Sequence, residues 1–217
     1  MISILLATYN GEKYLSLAIE SILNQTYKDF ELLIGFNGTT DNSKSIPSKY
    51  NDPRIRIFDY GDDKGKSITL NKLLNEAKYD WVAIQDDDDF WMDTKLEKQI
   101  PLLNNEYDVI GTFINYIDEN GHITGRPNLS SFKDDIKHIS MAGINQVANS
   151  SAIFRKSDAI ELGGWRGEFD GIEDFDFWLR LMRIGKTFIN IPEELVQHRL
   201  HTKSNFNTQR HDLSKIL

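Results

Sequence analysis

The stretch Trp81-Val82-Ala83-Ile84-Gln85-Asp86-Asp87-Asp88-Asp89-Phe90-Trp91 decides how the rest of the chain is read. Its apolar opening reads as a buried strand, and four consecutive carboxylates stand at the strand's end. Like charges in a row repel, and carboxylates are seldom buried without a partner. A run pinned between a strand and two aromatics therefore calls for a compensating cation. Hard divalent ions take oxygen ligands, and magnesium typically uses one or two carboxylates together with substrate phosphates. The plain alternative is an acidic turn in solvent. The flanking strand and aromatics favour the metal.

On the N-terminal side of this run, short apolar segments alternate with amphipathic ones. Strands are expected at Ile2–Leu6, Phe30–Ile34, Arg54–Phe58 and Trp81–Ile84, and helices at Gly11–Asn24, Ser67–Ala77 and Thr94–Asn104. Asn37-Gly38 is a turn signal after the second strand, and Asp41 is placed to cap a short helix. Such alternation predicts an α/β fold with a mainly parallel sheet flanked by helices, whose ligands bind at the carboxyl ends of strands. Thr8, Asn37 and the Asp86 cluster all lie just past such ends, so one crevice is expected to hold them.

On the C-terminal side the pattern is less regular. Val109–Tyr116 and Val147–Phe154 read as strands, and Asp118–Ser131 as loop. Ser157–Leu162 reads as a short helix ended by Gly163-Gly164. Glu173–Gly185 has helical length and apolar residues on most of its circumference, the mark of a buried helix. Asp176 and Arg180 form an i,i+4 pair on its polar stripe. A further apolar strand starts near Leu195 and leads to His198-Arg199-Leu200-His201.

Composition narrows the class. A chain of 217 residues suffices for one α/β domain with a sizeable core. Net charge of −8 and the lack of a basic tract argue against a nucleic-acid binder. There are no cysteines, which excludes disulfides, thiolate metal sites and cysteine nucleophiles. No apolar run approaches a membrane span, and no basic region precedes Ile2–Ala7, so the expected location is the cytoplasm. Gly65-Lys66-Ser67 imitates the end of a phosphate loop, but only three residues separate Gly61 from Gly65 where four are needed. No G-x-G-x-x-G occurs. Asp86-x-Asp88 could suggest an aspartyl-nucleophile phosphatase, but Phe90 stands where such enzymes favour a small hydroxyl residue.

Three segments join the aspartates as candidate chemistry. Glu173-Asp174 opens the buried helix, where each carboxylate raises the other's pKa while the helix terminus favours the anion. One histidine of the His198–His201 segment suits a metal. Thr8-Tyr9-Asn10-Gly11 ends the first strand with amides and a ring that can hold a base. Each taken alone is equally an acidic first turn, a surface histidine and a strand–helix turn.

Together, and in this order, these segments resemble family 2 glycosyltransferases with the GT-A fold. The resemblance rests on Ile4-Leu5-Leu6-Ala7-Thr8-Tyr9-Asn10-Gly11, on Ala18 to Tyr27, and on the D-x-D-D match at Asp86–Asp89. It continues through Gly163-Gly164-Trp165, the E-D-x-D-x-W-x-R block at Glu173–Arg180, and Arg199-Leu200-His201. It implies a single GT-A domain over 1–217, with a nucleotide-sugar-binding half at 1–105 and an acceptor and catalytic-base half at 106–217. It also implies an inverting transfer from a nucleotide-diphosphate sugar to a saccharide or lipid-linked saccharide acceptor, with Mg2+ or Mn2+ as cofactor. Asp174 becomes the catalytic base. Thr8, Tyr9, Asn10, Asn37, Lys64, Asp86 and Asp87 are assigned to the nucleotide, and Asp88, Asp89 and His201 to the metal. Trp165 and Glu173 fall on the acceptor side, along with loops around Asp118–Ser140 and Trp165–Gly171. Polysaccharide or glycoconjugate assembly is the implied setting, with peripheral contact at the inner membrane surface left open.

The chain departs from the family pattern twice. Phe36-Asn37 replaces an acidic pair that commonly contacts the uracil imide, and Thr69-Leu70-Asn71 replaces Ala-Arg-Asn. Lys64 or Lys66 can supply the missing charge, and thymidine or guanosine donors stay open beside uridine. Two rival readings are a sugar nucleotidyltransferase, which needs a glycine-rich loop after the first strand, and a nucleotide-binding module without catalysis.

Overall fold

A computed structural model describes residues 1–62, 65–104, 106–201 and 213–217. Strand β1 (Ile2–Thr8) is buried along its whole length, as its unbroken apolar run requires. It pairs in parallel with β2 (Phe30–Phe36) on one side and with β4 (Trp81–Asp86) on the other, and β3 (Ile55–Asp59) extends the sheet beyond β2. Side chains of β1 alternate between two apolar layers. Ile4 and Leu6 meet Leu15, Ala18, Ile19 and Ile22 of helix α1 (Leu15–Leu23). Leu5 and Ala7 meet Leu70, Leu73 and Leu74 of α2 (Lys66–Glu76) on the opposite face. At about 1.5–3 kcal/mol for each fully buried Leu or Ile, these two layers outweigh any single polar contact.

Beyond β4 the sheet turns mixed. The full order is β3-β2-β1-β4-β8-β6-β9-β5. Here β8 (Ile153–Arg155) runs antiparallel to both β4 and β6 (Val109–Ile117), whereas β9 (Phe188–Arg199) is parallel to β6. The short β5 (Phe90–Trp91) pairs antiparallel with β9, and β7 (Ile123–Gly125) pairs with β6. Two irregularities interrupt the β6–β9 ladder: Thr112 faces Ile191, Phe113 faces Glu194, and Ile114 faces Val196. Helix α3 (Lys95–Gln99) follows β5, and α4 (Lys133–Met141) stands between β7 and β8. After β8 come α5 (Lys156–Glu161) and α6 (Glu173–Arg183), whose Phe177, Trp178, Leu181 and Met182 close the α2-side core.

The α/β expectation holds, and three local readings are corrected. Val147–Phe154 is a strand only at its end; Asn149–Ser151 is a 3-10 turn of buried polar residues. Asp118–Ser131 holds β7, hidden from pattern reading because its residues are all exposed. The last strand begins at Phe188 rather than near Leu195. Among the described residues, no helix is long and apolar enough to cross a membrane.

Candidate active site

The carboxyl ends of β1, β2 and β4 converge as the topology requires, since Ala7 pairs with Asp86 and Thr8 with Phe36. Thr8 Oγ1 donates to Asp87 Oδ2 at 2.5 Å, and a Cβ at Gly11 would collide with that same carboxylate. Burial, followed by the charge of Asp88, pushes the Asp87 carboxyl up to about 7. Asn37 sits one residue past β2, its amide nitrogen donating to the Gly65 carbonyl at 3.0 Å. Its Oδ1 is buried without a partner, an arrangement that normally costs about 1–3 kcal/mol.

The four aspartates point in different directions. Asp86 Oδ1 meets the Lys66 ammonium at 2.7 Å and accepts from Asn149 Nδ2 at 3.0 Å. Asp88 Oδ2 lies 2.9 Å from His201 Nε2. Asp89 turns inward, only 1% exposed. It accepts from Ser150 Oγ at 2.6 Å and from the Arg199 amide at 2.8 Å, with His198 Nδ1 at 3.0 Å. Burial would lower the His198 pKa, but the Asp89 carboxylate holds it at about 9. The expectation that Asp89 ligates a metal meets a carboxylate that these three contacts already engage in holding β9 to the end of β4. Asp88 and His201 remain. Among the described residues, no group of three carboxylate or imidazole side chains converges on one point. Two protein donors, one carboxylate and one imidazole, suit an ion that completes its shell with substrate phosphates.

Across the crevice, α6 presents Glu173 and Asp174. Glu173 is buried, with Oε1 2.9 Å from the same Lys66 ammonium and Oε2 accepting from the Gly171 amide at 2.6 Å. Asp174 Oδ2 accepts from Asn145 Nδ2 at 3.0 Å. Burial first, then the adjacent Glu173 charge, push the Asp174 carboxyl up to about 7. Lys66 responds in the opposite sense. Burial alone would depress its ammonium, but the charges of Asp86 and Glu173 hold its pKa well above the ordinary lysine value.

The remainder of the E-D-x-D-x-W-x-R block builds the scaffold. Asp176, fully buried, pairs with Arg180 at 2.9 Å and with Arg166. Arg180 also donates to the carbonyls of Leu162 and Gly164 at 3.0 and 2.6 Å. Asn71 grips the same turn, donating to the Trp165 carbonyl at 2.7 Å and accepting from its amide at 2.9 Å. A side chain at Gly164 would strike Asn71, so this turn tolerates only glycine there.

Not every sequence-assigned residue reaches the crevice. Trp165, expected on the acceptor side, lies in the core, where its ring packs between Phe154 and Phe177. Asn10, at φ 54, spends its Oδ1 on the amides of Thr40 and Asp41. Tyr9 is exposed, and Lys64 lies outside the described residues. Asn145, Asn149 and Ser150 were missed. For Asn149 and Ser150, polar residues inside an apparent apolar strand were the one available signal; Asn145 offered none.

A family model described as "Glycosyl transferase family 2" matches residues 3–163. The chain belongs to that family. It is a glycosyltransferase, and the match stops short of α6. The O-antigen biosynthesis glycosyltransferase WbnJ of Escherichia coli is 33% identical, over 94% of this chain and 81% of its own. A second E. coli relative, UDP-Glc:alpha-D-GlcNAc-diphosphoundecaprenol beta-1,3-glucosyltransferase WfaP, is 28% identical over 94% of this chain and 79% of its own. Among solved structures, S. aureus TarS 1-349 in complex with UDP-GlcNAc superposes with a TM-score of 0.78 at 17% identity, over 99% of this glycosyltransferase and 63% of that chain. Mannosyltransferase PcManGT from Pyrobaculum calidifontis, in complex with GDP-Man and Mn2+, gives 0.73 at 17%, over 94% and 58%. This glycosyltransferase thus spans about three fifths of those longer chains, and the likeness shows that it shares their fold.

Proposed function

We propose that this glycosyltransferase is inverting and metal-dependent, moving a sugar from a nucleotide-diphosphate donor to a hydroxyl of a saccharide or lipid-linked saccharide acceptor. One observation carries the reading. A single ammonium, that of Lys66, touches Asp86 on the nucleotide side at 2.7 Å and Glu173, next to Asp174, at 2.9 Å. Donor-side and base-side carboxylates therefore share one crevice, with residues 1–105 supplying the first and 106–217 the second.

In this reading Asp86 bonds the donor ribose, Thr8 orients Asp87, and Asn37 offers its unpartnered Oδ1 to an N–H of the base. Asp88 and His201 would hold Mg2+ or Mn2+. When bound, such an ion offsets the charge that develops on the departing diphosphate. Asn145 fixes the orientation of the Asp174 carboxylate, which takes the proton from the acceptor hydroxyl. The hydroxyl attacks the anomeric carbon on the face opposite the diphosphate, and the configuration inverts. The names of the relatives support the substrate class: WfaP uses a UDP-glucose donor and a diphosphoundecaprenol-linked acceptor, and PcManGT is bound to GDP-Man with Mn2+. A lipid-linked acceptor places the reaction at the inner membrane surface. Because Asn37 is neutral where the family carries an acid, its bond to the base is weaker than a charge-assisted one, and preference for uridine is reduced.

The test is a panel of UDP-, dTDP- and GDP-sugars, read first by thermal shift with and without manganese. The best donor is then assayed for nucleoside-diphosphate release with saccharide and lipid-linked acceptors. Metal-dependent release that requires acceptor, and a product of inverted configuration, are expected. Binding without turnover across all acceptors would favour the non-catalytic module, and release of inorganic diphosphate from sugar phosphate plus nucleoside triphosphate would favour the nucleotidyltransferase.

A further inference from the structure

Asp174 can accept a proton only if it is ionised when the acceptor arrives, and its surroundings oppose that. It is partly withdrawn from water, Glu173 stands next to it on α6, and Asp86 faces it from the end of β4; both add negative charge. Asn145, from the segment after α4, supplies a neutral donor. Among these neighbours Lys66 is the cation, arriving from the start of α2 to touch Asp86 and Glu173 together. Its place is built rather than incidental. Asp170 accepts from the Ser67 amide at 3.0 Å and from the Ser67 hydroxyl, fixing the first turn of α2 against the α5–α6 connection. Asn71 fixes the next turn to Trp165.

We propose that Lys66 is a positioning residue for the transfer: its ammonium, shared between Asp86 and Glu173, keeps Asp174 ionised and able to accept a proton. The proposal rests on the assignment of Asp174 as base. The reasoning is one of local charge. Asp86 and Glu173 contact the one ammonium and Asp174 stands beside Glu173, so three carboxylates share a single cation in a partly enclosed crevice. Without that ammonium the cluster relieves its repulsion by taking up a proton, and Asp174, whose neighbours Glu173 and Asp86 both favour its neutral form, is a site for it. A nucleotide diphosphate brings further negative charge to the same crevice and increases the demand for the cation.

Two measurements on the full chain test this. Carbon-detected NMR titration follows the Asp174 carboxyl directly, and the pH profile of kcat/KM is recorded with the donor selected from the nucleotide-sugar panel. In Lys66→Met the Asp174 midpoint should rise by about one pH unit or more, with the acid limb of kcat/KM moving by the same amount. Lys66→Arg should restore both. Glu173→Gln should move both to lower pH, and combining it with Lys66→Met should bring them back toward wild type. Lys66→Gln, which keeps a hydrogen-bonding group between the carboxylates, serves if the methionine variant does not fold. A midpoint that stays in place in a folded, neutral Lys66 variant overturns the proposal, as does an arginine variant that restores nothing. A midpoint that moves while the acid limb does not would overturn the base assignment itself, a failure distinct from that of the charge coupling.

Discussion

Asp174 is under opposed demands, and its removal separates them. Its carboxyl titrates near 3.8 when unfolded and is pushed to about 7 in the folded chain, first by burial. The native state therefore binds the proton more tightly, and this group's contribution to stability falls as pH rises from about 4 to about 7. Asp174→Asn carries no charge to bury. It should raise the melting temperature at pH 8 more than at pH 4, while lowering turnover by about a hundredfold or more and leaving donor affinity intact. An inactive variant with no thermal gain at pH 8 would show that the carboxylate is not held against its preference. In the wild type, kcat/KM should fall as pH drops through about 7, because Asp174 in its proposed role as base must be ionised. Gly11→Ala tests the nucleotide side. The added methyl meets the Asp87 carboxylate and Thr8 Oγ1, the latter at 2.7 Å, so nucleotide affinity should drop with little change in the pH profile. The aspartate run and Asp174 were legible in the sequence because their chemistry is local. Asn145 and Asn149 were not, since their partners Asp174 and Asp86 lie 29 and 63 residues away. An asparagine's identity alone does not say which distant carboxylate it meets.

At the scale of elements, the α2–α5–α6 junction is where the site's geometry is set. Asn71→Ala breaks both hydrogen bonds to the Trp165 backbone and leaves a buried amide and carbonyl unpaired. A loss of about 1–3 kcal/mol per unpaired group is expected, measured by denaturant unfolding with unchanged slope. Arg180→Met is harsher, leaving the fully buried Asp176 with Arg166 alone and stripping two carbonyls of their donor. About 3–5 kcal/mol is the scale for breaking such a buried pair. Stability unchanged in both variants would mean the turn is held by apolar packing alone. Strands β1, β2 and β4 were readable because they are buried on both faces and bounded by turn residues. Helix α4 was not, since only Ile136 and Ser140 of its nine residues are buried and no apolar stripe results. The turn at Asn149–Ser151 deceived in the opposite way: its residues are buried for polar reasons, so apolar neighbours alone made the segment look like strand.

For the whole molecule, the metal expectation makes a separable prediction. Asp88 and His201 already pair at 2.9 Å, and this contact raises the His201 pKa. Chelation therefore exposes no unpaired charge. The melting temperature of the free protein should be unchanged by chelator, while the rise produced by nucleotide-diphosphate sugars disappears together with transfer. Asp88→Ala should reproduce the loss of nucleotide binding. Undiminished affinity in chelator would remove Asp88 and His201 from that role. The sheet explains why residues distant in sequence can be tested together. β4 brings the aspartates, β9 brings His198 to Asp89, and both meet at one edge of the crevice.

The irregular stretch of β9 has a consequence for how this chain tolerates changes in length. Side chains on a strand alternate, so inserting one residue within the regularly paired stretch just before the histidines would exchange the occupants of neighbouring slots. Leu200 would then arrive opposite Asp88 and His198 would take the place of Arg199. Between Ile191 and Val196 the strand already carries surplus residues that β6 does not match. An extra residue beside Pro192 can be absorbed there as a larger loop-out, leaving the downstream phase untouched, whereas the same insertion beside Gln197 has nowhere to go. The bulge acts as slack in a timing belt: length can drift on one side of it while the histidine end keeps its count.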